Sequence, residues 1–406
     1  MTIQTTDRPE KRHCMVVFAH YPGSETRVQR QAEALIEQGF QVDVLCLRDH
    51  HEPSIELVNG TQVHRLPVTR AYGNIGFIKQ LIEYLAFFTV AMFALFRLYP
   101  QRRYPVIQAH NLPDFLIFAA WFPKLLGARL ILDLHDLMPE FFAARTGRGM
   151  KSWLVRLVIW QEQLSCRFAA HVITVTDVWK ETLIGRGVPR DKVSVVMNVA
   201  DDKIFGRHTT IRTRPDKHTF HLFYHGNLVD RYGIDLVLEA IARIRDNTPE
   251  LVFTIHSPGD GEYSLYLGQL AERLAIEDRI KFSRDLYSVS ELPKFIGTAD
   301  VGLVPYRRDI FTDGILPTKL MEYTALGIPA IAARTPAIEA YFDESMVQFF
   351  TAENVDELAD CIQELYTNRQ QLTVLAQNAN KFNQQYNWTS VGAEYVRLIK
   401  RIGENK

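Results

Sequence analysis

Short apolar runs alternate with amphipathic stretches along most of this chain. Residues 15–19 and 42–47 are almost continuously apolar, as expected for strands that are buried on both faces. Between them, apolar residues recur at helical spacing from Val28 to Ile36, and Gly39 follows as a stop signal. This order of strand, helix and strand predicts a doubly wound sheet of parallel strands.

The same alternation continues to residue 197 and starts again after residue 218. The polar segment from Gly206 to His218 lies between the two series and predicts a linker. The prediction is an α/β protein with one Rossmann-like domain in residues 1–205, a second in residues 206–385, and a terminal helix in residues 386–406. The further strands are predicted at residues 105–109, 129–134, 171–176, 193–197, 220–224, 251–255, 280–282, 301–304, 329–333 and 346–350.

The composition is that of an ordinary globular protein. The 406 residues are 47% hydrophobic and 23% charged, which is enough apolar material for two cores. The 46 basic and 47 acidic residues give a formal charge of −1, so overall charge indicates no nucleic-acid partner. The polar N-terminus lacks the apolar core of a signal peptide, and scattered cysteines predict buried thiols in a reducing compartment. We therefore expect a cytoplasmic protein. The cysteines are Cys14, Cys46, Cys166 and Cys361.

Residues 75–103 form an unusually apolar segment. Its uncharged part, residues 84–96, is too short to cross a bilayer, which takes roughly 20 residues. One interpretation is a helix buried in the first domain. The other is a helix that lies in a membrane interface, with its phenylalanines in the lipid and Arg97, Arg102 and Arg103 beside it. The sequence leaves both open, and the second predicts peripheral contact with the inner face of the plasma membrane.

The most informative stretch follows the predicted strand 301–304. It reads Leu316-Pro-Thr-Lys-Leu-Met-Glu-Tyr323 and predicts the start of a helix. The N–H groups at a helix start favour an anion, and Lys319 lies in the first turn. Glu322, one turn further on, can accept hydrogen bonds from vicinal hydroxyls. The combination suits a nucleoside diphosphate-sugar, although a capped helix with an ordinary surface lysine and glutamate is the alternative.

The longer segment Leu316-Pro-Thr-Lys-Leu-Met-Glu-Tyr-Thr-Ala-Leu-Gly-Ile-Pro329 resembles the donor-site signature of the family 4 glycosyltransferases, in the branch with LPxKLxEYxAxGxP. The resemblance implies the GT-B fold, in which two Rossmann-like domains face a cleft and a C-terminal helix crosses back to the first domain. It also implies retaining transfer of a sugar and a ribose contact at Glu322. The donor contacts expected in this region are Tyr306, Leu316, Pro317, Thr318, Lys319, Leu320 and Glu322.

A second stretch departs from the family pattern. The family usually has Gly-Arg-Leu-x-x-x-Lys-Gly, whose arginine and lysine hold the diphosphate, and this chain has Gly226-Asn-Leu-Val-Asp-Arg-Tyr-Gly233. Asn227 and Tyr232 stand at the arginine and lysine positions, and Arg231 comes one residue early. We expect charge from Arg231 and Lys319, and neutral hydrogen bonds from Asn227 and Tyr232 at this Gly226 turn. The alternative is a turn that no longer binds phosphate, in a protein without activity.

Two predicted strands of the first half end in histidine. His110 follows residues 105–109, and His135 and Asp136 follow residues 129–134. Ligands bind beyond the carboxyl ends of parallel strands. The segment Ile131-Leu-Asp-Leu-His-Asp-Leu-Met-Pro-Glu140 also resembles the family segment whose histidine approaches the donor sugar. The resemblance gives this catalytic role to His135, with His110 as a lesser candidate; the alternative is that a histidine at a strand end is merely structural. Asp136 and Glu140 are candidates for acceptor-side carboxylates, or else cap the following helix.

The loop after the first strand offers weaker candidates. In the resembling family this loop lines the cleft, so Gly23 and Arg27 are candidates for a donor or acceptor contact. Otherwise Gly23 serves a turn and Arg27 is a solvated residue of the first helical turn. The loop lacks the three-glycine dinucleotide fingerprint, which argues against a nicotinamide enzyme.

The chemistry predicted for the site needs no metal and no cofactor besides the donor. No Asp-x-Asp motif accompanies the site. Gly314 stands at the family's usual acidic position, with Asp313 beside it, so the donor sugar stays undetermined. The retaining outcome, in which the leaving phosphate itself takes the acceptor proton, is implied by the resemblance alone.

We therefore predict an enzyme, a glycosyltransferase. It would move a sugar from a nucleoside diphosphate-sugar to a glycan or lipid-linked acceptor during assembly of a surface polysaccharide. Another enzyme of the same architecture, such as a sugar-nucleotide epimerase or a phosphorylase, is one alternative. A non-catalytic partner subunit that binds a sugar nucleotide is the other, and the altered Gly226 turn keeps it open.

Overall fold

The structure is a computed structural model that describes residues 11–23, 25–71, 76–206, 218–257, 261–284 and 288–404. Most of the predicted linker, residues 207–217, lies outside these ranges, as does Ile75 of the apolar segment. The chain divides into two units, the first being Met1–Asn198 with Val391–Lys406, and the second Val199–Ser390. The sequence had placed the borders after residues 205 and 385.

The first unit is built on an eight-stranded sheet. Its strands are β1 (Arg12–Val16), β2 (Gln41–Leu47), β3 (Ile55–Val58), β4 (Thr61–Leu66), β5 (Val106–His110), β6 (Arg129–Leu134), β7 (His171–Thr174) and β8 (Val193–Val195). They lie in the order β3-β4-β2-β1-β5-β6-β7-β8, and every neighbouring pair except β3 and β4 is parallel. The chain reverses its direction of advance between β1 and β5. Ligands bind at such a switch point, beyond the carboxyl ends of the strands.

The helices of this unit connect the parallel strands. They are α1 (Thr26–Ile36), α2 (Phe77–Arg102), α3 (Trp121–Leu125), α4 (Met138–Thr146), α5 (Trp153–Phe168) and α6 (Asp177–Gly185). Right-handed crossovers from β4 to β8 advance in one direction and therefore place α2, α3, α5 and α6 on one face of the sheet. Between β5 and β6 the chain forms a 3-10 helix, Asp114–Ala120, followed by the short α3.

The β3–β4 hairpin is the one part of this sheet that our sequence reading missed. It is antiparallel and turns at Asn59 and Gly60, both of which have positive φ angles, 49° and 81°. An Asn-Gly pair between two apolar runs is a strong hairpin signal. The signal was present in the sequence and could have been used.

Helix α2 is neither wholly buried nor wholly exposed, so it fits neither of the two interpretations completely. Its buried face consists of residues at helical spacing and packs within the first unit. Only 22% of its most apolar window is buried, although the helix is long and apolar enough to cross a membrane by length and composition. The buried residues are Tyr84, Phe87, Ala91, Leu95 and Tyr99.

The second unit contains a six-stranded sheet that is parallel throughout. Its strands are β9 (Phe220–His225), β10 (Leu251–His256), β11 (Ile280–Ser283), β12 (Val301–Val304), β13 (Ala330–Ala333) and β14 (Gln348–Phe350), in the order β11-β10-β9-β12-β13-β14. The helices are α7 (Asp202–Phe205), α8 (Ile234–Ile244), α9 (Glu262–Arg273), α10 (Leu292–Ile296), α11 (Thr318–Ala325), α12 (Pro336–Glu339), α13 (Val355–Thr367) and α14 (Arg369–Gln385). The predicted strands of both units are confirmed to within two residues at each end, except the first, which was predicted at residues 15–19 and runs from Arg12 to Val16. Here the switch point lies between β9 and β12.

The last helix, α15 (Trp388–Glu404), belongs to the first unit from Val391 onward. Its Tyr395 hydroxyl donates to Gln108 Oε1 at 2.7 Å, inside the core of that unit. Lys400 Nζ donates to Gln38 Oε1 at 3.3 Å. The prediction that the terminal helix returns to the first domain is confirmed.

Candidate functional site

Helix α11 is held against strands β9 and β12 by Tyr323. The Tyr323 hydroxyl donates to the carbonyl oxygen of Phe223 at 3.2 Å, and its ring covers Gly302. A Cβ atom at Gly302 would lie 2.4 Å from that ring, so only glycine allows this approach. The start of the helix at Thr318 is thereby fixed at the carboxyl edge of the sheet, where N–H groups favour an anion.

Lys319 is buried among three tyrosine rings at the start of α11. Its Nζ donates to the Tyr306 hydroxyl at 2.7 Å and lies 4.9 to 5.0 Å from the ring centres of Tyr224, Tyr232 and Tyr306. Such rings attract a cation through their faces. Burial lowers the pKa of Lys319 to about 8, against the opposing effect of the Glu322 charge. The amine is therefore mostly charged at neutral pH, in a place where its charge acts strongly.

Glu322 lies one helical turn beyond Lys319 and meets His225 at the end of β9. Glu322 Oε2 is 3.2 Å from His225 Nε2. Burial, with the nearby Lys319 charge, lowers the pKa of His225 to about 3, so this imidazole is neutral. Glu322 was predicted as a hydroxyl acceptor, whereas His225 was not predicted, although its position at the end of a predicted strand was a usable signal.

The altered Gly226 turn is tied to the loop before α11. A Cβ atom on Gly233, whose φ is +65°, would lie 2.1 Å from the Pro305 carbonyl oxygen, so the two loops touch through their backbones. The Arg307 amide donates to the Arg231 carbonyl oxygen at 2.9 Å, and the Arg307 guanidinium donates to Asp235 at 2.6 Å. The Gly226 turn is thus a wall of the Lys319 site.

The other predicted donor residues fall into three groups. Leu316, Pro317 and Leu320 are buried and support the loop. Tyr306 and Tyr232 are stacked at 4.5 Å in the wall around Lys319. Asn227 and Thr318 are exposed, and the guanidinium of Arg231 lies 3.9 Å from Asp309 and over the ring of Phe311.

In the first unit, the Asn111 side chain holds the loop that carries His135 and Asp136. Its Oδ1 accepts from the His135 amide at 3.0 Å, and its Nδ2 donates to the Asp136 carbonyl oxygen and to Asp114 at 3.0 Å. His135 and Asp136 are both half-buried. Burial raises the pKa of Asp136 to about 6 against the opposing effect of His135. Our sequence reading missed Asn111, although its place directly after β5 was a usable signal.

A buried polar network lies under this loop. Asp133 accepts from Arg27 at 3.0 and 3.2 Å, and also from Gln31 and Gln108 at 3.0 Å. Burial alone would raise the pKa of Asp133, but the Arg27 charge and hydrogen bond, together with the neighbouring histidines, outweigh it and lower the pKa to about 2. The Tyr395 hydroxyl binds Gln108 and connects helix α15 to the network. Arg27 is 3% exposed, which corrects our alternative of a solvated residue.

His110 faces this network and not solvent. It is fully buried, and its Nδ1 lies 3.4 Å from Asp133 Oδ2. Burial lowers its pKa to about 3, so the ring is neutral. A fully buried ring has no direct access to a substrate, so the catalytic role predicted for His110 would have to act through its neighbours.

A cavity of about 290 Å³ opens beside His135 and Asp136. Its other polar lining comes from Glu25, Arg70, Gln80, Glu83, Asn111 and Arg145. Gln80 and Glu83 belong to helix α2. The cavity has the size and the polarity of a site for a sugar or another small polar group.

Gly23 is an exposed turn residue, and an added Cβ atom would have no atom within 4 Å.

Glu140 fits neither role that the sequence suggested. It is 5% exposed and pairs with Arg186, which also donates to Glu162 at 2.8 and 3.0 Å. Burial raises the pKa of Glu162 to about 8, against the opposing charge of Arg186. A carboxylate engaged in this way is a structural ion pair of the first unit.

His110, Asp133 and His135 form the one cluster with metal-ligand spacing among the described residues. Their ligand atoms lie within 4.8 Å of one another. Both carboxylate oxygens of Asp133 already accept from Arg27, and a guanidinium charge beside the site opposes a second cation. The donor set therefore does not suit a divalent metal, and turnover without metal stays a prediction.

Two family models match the chain. The model of the glycosyl transferase 4-like domain matches residues 22–198, and that of the glycosyl transferases group 1 matches residues 210–382. The chain belongs to the family 4 glycosyltransferases. It is therefore a glycosyltransferase, and the resemblance read from residues 316–329 is confirmed.

Among known proteins, the chain is similar to two fungal transferases. It is 22% identical to the phosphatidylinositol N-acetylglucosaminyltransferase gpi3 subunit of Schizosaccharomyces pombe, over 95% of this chain and 79% of that protein. It is 23% identical to the chitobiosyldiphosphodolichol beta-mannosyltransferase of Debaryomyces hansenii, over 85% of this chain and 77% of that protein.

Solved structures with the same fold confirm the GT-B prediction. The sucrose-phosphate synthase of Thermosynechococcus elongatus has a TM-score of 0.78 at 17% identity, over 97% of this chain and 99% of that one. The HepE protein of Anabaena in complex with UDP-glucose has a TM-score of 0.69 at 17% identity, over 96% of this chain and 99% of that one.

Proposed function

We propose that this glycosyltransferase takes a nucleoside diphosphate-sugar as donor and a glycan or lipid-linked acceptor, with retention of configuration and without a metal. One observation carries the proposal. A buried lysine cation at a helix start, Lys319, is followed one turn later by the half-buried carboxylate of Glu322, and the structural relative HepE has been crystallised with UDP-glucose.

The donor side follows from the charge of the leaving group. A departing nucleoside diphosphate gains negative charge, which Lys319 and the N–H groups at the start of α11 would stabilise. The rings of Tyr224, Tyr232 and Tyr306 hold the Lys319 amine in place. The protein therefore would not need to reorganise when negative charge develops on the leaving group. Glu322 would accept from the ribose hydroxyls, and Arg231 would add positive charge at the edge of the site.

The acceptor side is proposed for the cavity beside His135. The Asn111 clamp fixes the backbone of His135 and Asp136, which limits how far their side chains move. His135 would contact the transferred sugar, and Asp136 would bind an acceptor hydroxyl. The leaving phosphate itself would take the acceptor proton, as the family resemblance implies.

The process we propose is assembly of a surface polysaccharide on the cytoplasmic side of the membrane. The names of two relatives refer to lipids, phosphatidylinositol in one and diphosphodolichol in the other. These names support a lipid-linked acceptor. Peripheral membrane contact through residues 75–103 belongs to this proposal. The configuration of the transferred sugar is checked directly by the NMR coupling of the product's anomeric proton.

The donor assignment is tested by thermal unfolding of the full chain with UDP-, GDP-, ADP- and dTDP-sugars. A ligand that binds only the folded state raises its stability by mass action. We expect stabilisation by one nucleotide class, reduced in Glu322→Ala. No stabilisation by any of the four would favour the non-catalytic alternative, which the neutral Asn227 and Tyr232 positions keep open. Activity that is lost in EDTA and restored by manganese would contradict metal-free turnover.

A further inference from the structure

Three helices on one face of the first sheet carry a large exposed apolar surface. Helix α2 exposes Ile82, Leu85 and Phe93 on the side opposite its buried residues. Helix α3 and its end add Trp121, Leu125 and Leu126, and helix α5 adds Trp153, Leu157 and Trp160 at positions one turn apart. Leu125, at 74%, and Trp153, at 71%, are among the most exposed of these side chains. Contiguous exposed apolar surface of this kind marks an interaction site.

Contacts tie α3 to each of the other two helices. The rings of Phe96 on α2 and Phe122 on α3 lie 4.4 Å apart. Lys124 Nζ on α3 donates to the carbonyl oxygen of Phe168 at the end of α5 at 2.7 Å. The right-handed crossovers already place these helices on the same side of the sheet. We call this surface, formed by the exposed residues of α2, α3 and α5, the three-helix face.

Every charged side chain that is exposed on or beside the three-helix face, within residues 76–103, 121–126 and 141–160, is basic. Arg97 interrupts the apolar side of α2, and Arg156 lies between Trp153 and Trp160. Glu83, the acidic residue of α2, is only partly exposed and lines the cavity beside His135. The whole chain has a net charge of −1, so this concentration of positive charge is local. The exposed basic residues are Lys79, Arg97, Arg103, Lys124, Arg145, Arg148, Lys151 and Arg156.

We propose that the three-helix face docks on an anionic phospholipid bilayer. Apolar side chains would enter the headgroup region, arginine and lysine would reach the lipid phosphates, and the tryptophans would lie at the interface. The buried face of α2 stays packed in the first unit, so the helix lies along the surface and does not cross it. A second copy of this chain fits less well, because two such basic faces repel each other.

If the proposed function is correct, docking on a bilayer also indicates what kind of acceptor the cavity beside His135 takes. Gln80, Glu83 and Tyr84, near the start of α2, line the cavity that also contains His135. A bilayer bound along α2 would therefore lie close to that cavity. The face thus favours an acceptor whose lipid part stays in the membrane while its polar head enters the cavity.

The chain is well suited to a direct test, because three of its five tryptophans lie on the three-helix face. The full chain is mixed, without donor, with vesicles of phosphatidylcholine alone or of phosphatidylcholine with phosphatidylglycerol as the anionic lipid, whose negative surface potential attracts basic side chains. We expect binding at least tenfold tighter to the anionic vesicles and quenching of tryptophan fluorescence by brominated lipid. The 2% exposed Trp179 should stay unquenched when the other tryptophans are replaced by phenylalanine.

Matched variants decide which surface binds. Trp153→Ser with Trp160→Ser, and separately Ile82→Ser with Phe93→Ser, should each weaken vesicle binding at least tenfold. Ile55→Ser with Leu57→Ser, on the exposed strand β3 of the same unit, is the control and should bind as the parent does. Circular dichroism checks that each variant is folded.

The proposal is overturned if the anionic vesicles do not bind, or if both sets of variants bind like the control. It is equally overturned if the same variants abolish a concentration-dependent dimer in sedimentation while vesicles never bind. Because no donor is present, failure here is separate from failure of the donor assignment, which thermal unfolding with nucleotides measures on the same preparation.

Discussion

The carboxyl edges of the two sheets hold their charges in opposite ways. In the first unit, Asp133 is neutralised inside the protein by Arg27 and amide donors. In the second unit, the Lys319 cation is surrounded by tyrosine rings and one hydroxyl. The first arrangement fixes geometry, whereas the second keeps a charge available to a ligand. We infer that the first edge orients groups and the second binds the anion.

The largest effect is expected from a substitution that removes the cation beside Asp133. Arg27→Met leaves Asp133 buried without its cation, which should lower the free energy of unfolding by about 3–5 kcal/mol. Denaturation in urea measures the loss. Arg190→Met is the matched control, because the Arg190–Glu181 pair of the same unit is exposed and should contribute little. Equal stability of the two variants would contradict a structural role for the Asp133 pair.

The next largest effect is expected from a substitution that removes the Lys319 cation. Lys319→Met keeps an apolar stem among the tyrosines and removes the charge, so kcat/KM should fall about 100-fold or more. Unfolding should change much less than in Arg27→Met. Lys294→Met, on the exposed surface of helix α10, is the control and should retain parent activity. A Lys319→Met enzyme with normal kcat/KM would show that the cation has no role in transfer.

A split between two further variants sharpens the comparison. Glu322→Ala should weaken donor binding about tenfold, since it removes a contact made in the ground state, while His135→Ala should lower kcat with little change in donor binding. Calorimetric titration and steady-state kinetics separate the two quantities. If both variants change only binding, the division into an orienting edge and a binding edge is wrong.

The charge on Lys319 in the second unit should make donor binding depend on pH. The pKa of Lys319 is lowered to about 8, so the cation is present below this pH and is lost as the pH rises through it. Donor affinity should therefore fall up to about tenfold between pH 7 and pH 9. The Lys319→Met variant should show a flat profile over the same range. A parent profile that is equally flat would exclude Lys319 as the titrating group.

The smallest effect concerns the terminal helix. Tyr395→Phe removes the hydrogen bond to Gln108 and should cost about 1 kcal/mol of stability. Because Gln108 also donates to Asp133, the variant should bring a small loss in kcat without weaker donor binding. Tyr266→Phe, a partly exposed tyrosine of the second unit, serves as the control. Stability equal to that of the control would mean that α15 does not contribute to the buried network.

Local sequence patterns were enough to predict most of the strands and helices in order, the two-domain organisation, and the helix start that carries Lys319 and Glu322. These features depend on local periodicity and on a contiguous motif, and both can be read within a few residues. His110 and His135 could be placed at strand ends for the same reason. The signal for the β3–β4 hairpin, Asn59 followed by Gly60, is also local, so this hairpin was predictable from the sequence.

Which of these residues are paired and which are exposed depends on the tertiary structure. Arg27 and Asp133 are 106 residues apart, and the tyrosines around Lys319 come from two strand ends and a turn. No periodicity specifies such partners, because they are set by which strands become neighbours in the sheet. The same holds for helix α2, whose composition allowed a buried or a membrane-facing helix. Packing buried one of its faces and left the other exposed, on the same side of the sheet as the tryptophans of α3 and α5.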